Sequence, residues 1–206
     1  MKEIKNLGIK TQEGFEIKNL QRFPSREWGD EGGLQADIYY KDEKIAQYYD
    51  AGDGGMANMY WTDYGRSVKK EAQTDAIKFL QRCDADYRPG SKYYDLLFKD
   101  QKPQNFDEDD WGMLIILIEE HYDKIKMIKE TLKDNPIAIV GSNDLHILTI
   151  GYNYTCSTIH PSVIDCFKQR IIDDIATGYL ARKYPNEKFT NLTVYLRQEL
   201  ESLNTL

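Results

Sequence analysis

The hydrophobic period of this chain first switches close to residue 66, and that switch limits the architectures open to it. In the run LQADIYYKDEKIAQYY, Leu34, Ala36, Ile38 and Tyr40 alternate with Gln35, Asp37 and Tyr39. A period of two puts one set on each face of a strand, so the run reads as a hairpin turning at Lys41-Asp42-Glu43 into Ile45-Ala46-Gln47-Tyr48. From Ser67 onward Val68, Ala72, Ala76, Phe79 and Leu80 follow helical spacing, with Ser67 as the candidate N-cap and Glu71 in the early helix.

Other segments extend the same contrast. EIKNL occurs at 3–7 and again at 16–20, and Gln12-Glu13-Gly14 between them is a turn signal, so the copies are expected as two antiparallel strands. No third copy follows, which argues against a solenoid. PSREWGDEGG reads as a loop, and residues 56–61 as a further short strand. RPGSKYYDLLF is expected to be a break followed by a short helix. The acids Asp107, Glu108, Asp109 and Asp110 suit a helix N-terminus, where the macrodipole favours negative charge. Trp111, Leu114, Ile115, Ile118, Tyr122, Ile125, Ile128 and Leu132 then form one apolar face that closes at Pro136.

PIAIVGSNDLHILTIGY predicts a hairpin over 136–152, turning at Gly141-Ser142-Asn143-Asp144. Pro161 opens a helix with the stripe Val163, Ile164, Phe167, Ile171, Ile175 and Tyr179. A last helix is expected from Leu192, Leu196, Leu200 and Leu203. Strands, helices, a hairpin and more helices define an α+β fold and exclude a doubly wound parallel sheet. The organisation expected is an antiparallel β region over 1–66 and a mainly helical region over 67–206, or both in one compact domain.

Composition narrows the function classes. With 206 residues the chain can bury a core without disulfides, and its three cysteines give no disulfide framework, so a reducing, cytoplasmic setting is expected. MKEIKNLGIK lacks the apolar core of a signal peptide, and MLIILI at 113–118 is far short of a membrane span. A net charge of −7 argues against direct nucleic-acid binding, which needs clustered Lys and Arg. Fifteen tyrosines against seven phenylalanines favour half-buried strands first and partner surfaces second.

The stretch DAGDGGMANMYW at 50–61 most resembles a site. It lacks the lysine of a phosphate loop and the GxGxxG spacing of a dinucleotide fingerprint, and the alternating ligands and final glutamate of an EF-hand are absent too. It therefore reads as a tight corner in which Gly54 or Gly55 supplies a positive φ. Cys156, His160 and Cys166 match no zinc spacing, and Cys166 beside an apolar stripe reads as a buried thiol. His146 reads as a core histidine and His121 as a solvated helix residue. Neither EIK copy has the preceding aspartate that a metal-dependent nuclease needs. No catalytic residue, metal or cofactor is expected.

The run GGLQADIYYKDEKIAQYYDAGDGGMANMYW, a strand, a Lys/Asp turn, a second strand and GDGG, resembles small proteins of bacterial phages and mobile elements. That pool includes inhibitors of bacterial immunity such as anti-CRISPR proteins. The resemblance spans about residues 30–62 and implies a class of role without catalytic residues. It implies a non-enzymatic accessory protein, an inhibitor that occupies the basic, nucleic-acid-binding surface of a host defence protein. The candidate contacts are Trp28, Asp30, Glu31, Asp50, Asp53, Tyr60 and Trp61, with Asp107, Glu108, Asp109 and Asp110 as a second patch. The alternatives are a small metal-dependent hydrolase or nuclease using carboxylates with His121 or His160, and a homodimer through the tyrosine-rich sheet.

Overall fold

The computed structural model describes residues 4–24, 32–84, 87–89, 91, 106–142, 147–152, 164–175, 178, 181–183 and 190–198. The fold is α+β. The elements are β1 (Phe15–Phe23), β2 (Gly33–Tyr40), β3 (Glu43–Asp50), β4 (Asn58–Trp61), α1 (Asp63–Cys83), α2 (Glu108–Asp134), β5 (Ile137–Ser142), β6 (Ile147–Tyr152), α3 (Ile164–Asp174), α4 (Ala181–Lys183) and β7 (Thr190–Leu196). They fall into two compact units, Met1–Tyr122 with Asn204–Leu206, and Asp123–Leu203. The change from sheet to helix falls at Thr62, between β4 and α1, and α1 belongs to the same unit as the first sheet.

In the first unit four antiparallel strands pair in the order β1-β2-β3-β4. The β2–β3 hairpin turns through Lys41 and Asp42, with φ of 51° and 71°, and two consecutive positive values are what a tight two-residue turn requires. The two EIKNL copies do lie antiparallel, but only the second is a strand. Lys5 and Leu20 exchange backbone hydrogen bonds of 2.9 Å, and Lys10 bridges Glu16. The segment from the first copy to Lys10 thus covers the outer edge of β1 through isolated bridges rather than a continuous ladder. Gly14, at φ 93°, closes the turn on Thr11.

Alternation sends Phe15, Ile17, Leu34, Ala36, Ile38, Tyr40, Ala46 and Tyr48 into one core with α1 and the start of α2. Two irregularities keep that pattern in phase. Asn19 and Leu20 together face Ala36, so Leu20 stays buried while the Asn19 side chain donates to Asp37 at 2.8 Å. Ile45 is an extra residue between the Tyr39–Lys44 and Ile38–Ala46 pairs.

The Ile45 carbonyl then accepts from the Thr62 N–H at 2.9 Å, while the Thr62 hydroxyl donates to the Lys44 carbonyl and accepts from Gly65 N–H, both at 2.9 Å. Thr62, not Ser67, is the N-cap of α1. The helix starts a turn earlier than its apolar spacing indicates because the bulge supplies it with partners. Arg22 at the sheet edge donates through Nη2 at 2.7 Å to Glu119 of α2, which also pairs with Lys5 at 3.1 Å.

The second unit carries a three-stranded sheet ordered β6-β5-β7, with Ile171 of α3 and Ile175 just after it joining a core with Ile137, Ile139, Val194 and Leu196. The Arg197 side chain donates to the carbonyls of Leu132 and Lys133, satisfying the end of α2. Two expectations are corrected here. Leu192 and Leu196 lie in strand β7, not in a helix, since TNLTVYL is rich in β-branched and aromatic residues and pairs along β5. Gly141 and Ser142, the first two residues of the expected turn, belong to β5, where Ser142 pairs with Ile147, and 143–146 lie between the two strands. Those residues, the start expected at Pro161 and the helix expected after Pro89 lie outside the described set.

Candidate functional site

The 50–55 corner is built by its own aspartates. Asp50 Oδ1 accepts the Gly52 N–H at 2.8 Å, and Asp53 Oδ1 accepts the Gly55 N–H at 3.1 Å. Each is a side-chain mimic of a backbone turn, and Gly52 and Gly54 supply the positive φ values of 69° and 75°. Gly54 thus takes the role expected of it, and Gly55 does not. A Cβ on Gly52 would collide with the backbone of Gly32 and Gly33, so this glycine also permits a close chain crossing.

The start of α2 is a reciprocal cap. Asp107 Oδ1 accepts from the N–H groups of Asp109 and Asp110 at 3.0 and 3.4 Å, and Asp110 Oδ2 accepts from Asp107 N–H at 2.9 Å. Asp110 is fully buried, and its Oδ1 accepts from the Tyr87 hydroxyl at 2.8 Å. One residue on, Trp111 packs edge-on against Trp61, Phe106 and Phe15, with ring centroids 5.4, 5.3 and 6.1 Å apart. Asp110 and Trp61 are therefore parts of the scaffold.

Tyr48 joins the two acidic patches. It is an inward residue of β3, 2% exposed, and a Cβ on Gly112 of α2 would meet its hydroxyl. Burial, then the carboxylates of Asp50, Asp109, Glu108 and Asp107, hold its phenol well above the usual tyrosine range. Partial desolvation, then Asp107, Asp50 and Glu108, likewise push the Asp109 carboxyl up. Asp50 from the corner and Asp107, Glu108 and Asp109 from the helix start thus form one cluster of like charge around the Tyr48 side chain. Among the described residues none of the four carries an ion pair.

The other candidates fall outside the cluster or outside the described residues. Tyr60 is 59% exposed and faces Gln47 on the sheet side opposite the core. Asp53 is engaged in its own turn. Trp28, Asp30, Glu31, His146, Cys156 and His160 lie outside the described residues. Cys166 is exposed, which corrects the buried-thiol expectation: it precedes Phe167 on α3 and sits off the stripe of Ile164, Phe167 and Ile171. Glu16 and Lys18 pair with each other at 3.1 Å. Among the described residues no three His, Cys, Asp or Glu side chains converge to hold a metal, and no helix is long and apolar enough to cross a membrane. Tyr48 is the residue that sequence reasoning missed as part of this site. Its one signal was a hydroxyl-bearing ring at an inward strand position, where phenylalanine would suffice.

The raised Asp109 carboxyl carries a stability consequence. A pKa higher in the folded than in the unfolded chain means that the folded state binds more protons, so stability falls as pH rises through that titration. Asp109→Asn is expected to raise the melting temperature at pH 7, with the gain shrinking toward acidic pH and in high salt. Melting curves across pH check this, and a variant less stable than wild type at pH 7 would refute the like-charge account.

Comparison with family models, curated proteins and solved structures finds no match to this chain. The cluster's own chemistry is therefore the ground for a functional reading.

Proposed function

We propose that this chain is a non-enzymatic binding protein of the phage and mobile-element kind, acting in the cytoplasm, whose acidic cluster docks on the basic, nucleic-acid-binding surface of a host protein. The observation that carries the reading is a contrast in how the carboxylates are neutralised. Glu119 is met by Lys5 and Arg22, Asp37 by Lys44, Asp42 by Lys10 and Glu13 by Arg82. Asp50, Asp107, Glu108 and Asp109 are gathered with no such counter-charge among the described residues, and Asp109 is strained by its neighbours. A cationic partner relieves that repulsion on binding, and its approach is steered by the same field.

Such a surface needs no catalytic group, and a partner built to hold phosphates offers the complementary charge. The test is affinity capture of the tagged protein from host lysate at low and moderate salt, beside the triple variant Asp50→Asn, Glu108→Gln, Asp109→Asn. These amides keep the turn and helix-start acceptors while removing the charge. A single stoichiometric partner is expected, released as salt rises and weakened by about tenfold or more in the variant, roughly 1.4 kcal/mol. A bead without partner, or capture indifferent to both salt and variant, would overturn the reading.

A further inference from the structure

The two edges of the first sheet are treated differently. β1 is bridged by the preceding segment at Lys5–Leu20 and Lys10–Glu16. β4 ends the strand order, and among the described residues no strand pairs with its outer side. Edge strands are usually blunted by charge, proline or cover, because free peptide groups template further pairing. Asn58, Met59, Tyr60 and Trp61 bring neither charge nor proline. Met56, just before the strand, is 87% exposed, and Tyr60 and Tyr64 are exposed as well.

The hydrogen-bond phase shows which groups are on offer. Thr62 N–H donates to the Ile45 carbonyl and Trp61 faces Ala46, so Thr62, Tyr60 and Asn58 direct their peptide groups to β3. Met59 and Trp61 direct theirs outward. The Trp61 carbonyl is already engaged, accepting from Arg66 Nη2 at 3.1 Å. Met59 is therefore the residue that offers both its N–H and its carbonyl at the outer rim.

The two ends of β4 differ in charge. The strand leaves a corner carrying Asp53 and runs into a helix start carrying Arg66 and Lys69. Arg66 pairs with Asp63, whose side chain is fully exposed, and an ion pair of that kind exchanges readily. Lys69 lies over the Trp61 ring at 4.9 Å and has no ion pair among the described residues. Asp53 lies six residues before Met59 and Arg66 seven after it. A strand with a carboxylate beyond one end and cations beyond the other is complementary to its own antiparallel copy.

We infer that β4 is the interface of a symmetric dimer, in which a second copy of this chain pairs antiparallel with it about a two-fold axis at Met59. Each Met59 N–H donates to the other copy's Met59 carbonyl, and the two four-stranded sheets join edge to edge. The axis sets the Asp53 corner of one copy beside the Arg66 and Lys69 of the other, and the symmetry makes that contact twice. It also brings exposed Met56 of one copy to the Tyr64 end of its partner. The inference goes beyond the acidic-surface reading and does not rest on it, since it uses neither Tyr48 nor the start of α2.

The test is sedimentation of the full chain from about 1 μM to about 1 mM, with amide exchange followed by NMR over the same range. A monomer–dimer equilibrium is expected, with protection of the Met59 amide growing as dimer forms. Met59→Pro removes the central N–H without touching the β3 ladder, a position where proline is tolerated, and should weaken the dimer at least about tenfold. Lys69→Glu and Asp53→Lys should each weaken it by setting like charges together, and an equimolar mixture of the two should associate again, because both contacts are then attractive. If Met59→Pro or Asp53→Lys does not fold, Lys69→Glu and the turn-preserving Asp53→Asn decide, each again expected to weaken the dimer. A monomer throughout the range would overturn the inference. A dimer indifferent to these variants, or one that leaves the Met59 amide unprotected, would place the contact elsewhere and overturn it too.

Discussion

Gly65→Ala is expected to destabilise the protein by about 2 kcal/mol or more, although helix propensity alone favours alanine over glycine by roughly 1 kcal/mol. Gly65 is buried in the first turn of α1, and a Cβ built there would run into the Ile45 carbonyl oxygen. The obstacle is backbone and cannot swing aside. That same carbonyl accepts from Thr62, so moving it away also breaks the link between the β3 bulge and the helix start. Overpacking and lost capping both oppose the propensity gain and outweigh it. Urea unfolding of wild type and variant measures the difference, and a variant as stable as wild type would show that α1 does not sit this close to the bulge.

Asp110→Ala is expected to cost about 2 to 4 kcal/mol, while Asp109→Ala next to it leaves stability at neutral pH unchanged or raised. Asp110 accepts from Asp107 N–H and from the Tyr87 hydroxyl, and both Asp110 and Tyr87 are buried. Removing its carboxyl forfeits a cap worth about 1 kcal/mol and the buried hydrogen bond from Tyr87, at roughly 1 to 3 kcal/mol. Asp109 is exposed and repelled by its neighbours, so its loss removes a cost. Denaturant melts of the two variants separate scaffold from surface among consecutive acids. Equal losses in both would dissolve the distinction.

Much of the first unit was legible as sequence. The alternation from Leu34 to Tyr48 specified both strands and their inward faces, and the Lys41-Asp42 turn between them is where it was expected. The stripe from Trp111 to Leu132 specified α2, with Tyr122 half-buried and the rest buried. Where reading failed, a longer-range partner had outbid the local signal. Leu192 and Leu196 are spaced as on a helix, but pairing with β5 uses their neighbours Thr193, Val194 and Tyr195 as strand residues. The start of α1 was misplaced because its capping partners come from the Ile45 bulge on β3, far outside any local window.

By itself the sequence determined periodicity, turn chemistry and the acidic balance, since each follows from a few adjacent side chains and their local conformational preferences. Only the tertiary structure decided which acids meet. The corner aspartate and the helix-start carboxylates were two separate patches in the chain, and they become one cluster because β3 and α2 pack with Tyr48 between them. It also decided that Asp110 belongs to the scaffold, and that the β1 edge is bridged by the preceding segment while no strand among the described residues pairs with the outer side of β4. Convergence of this kind is set by the burial free energy of a whole core, and no local stretch of residues contains that quantity.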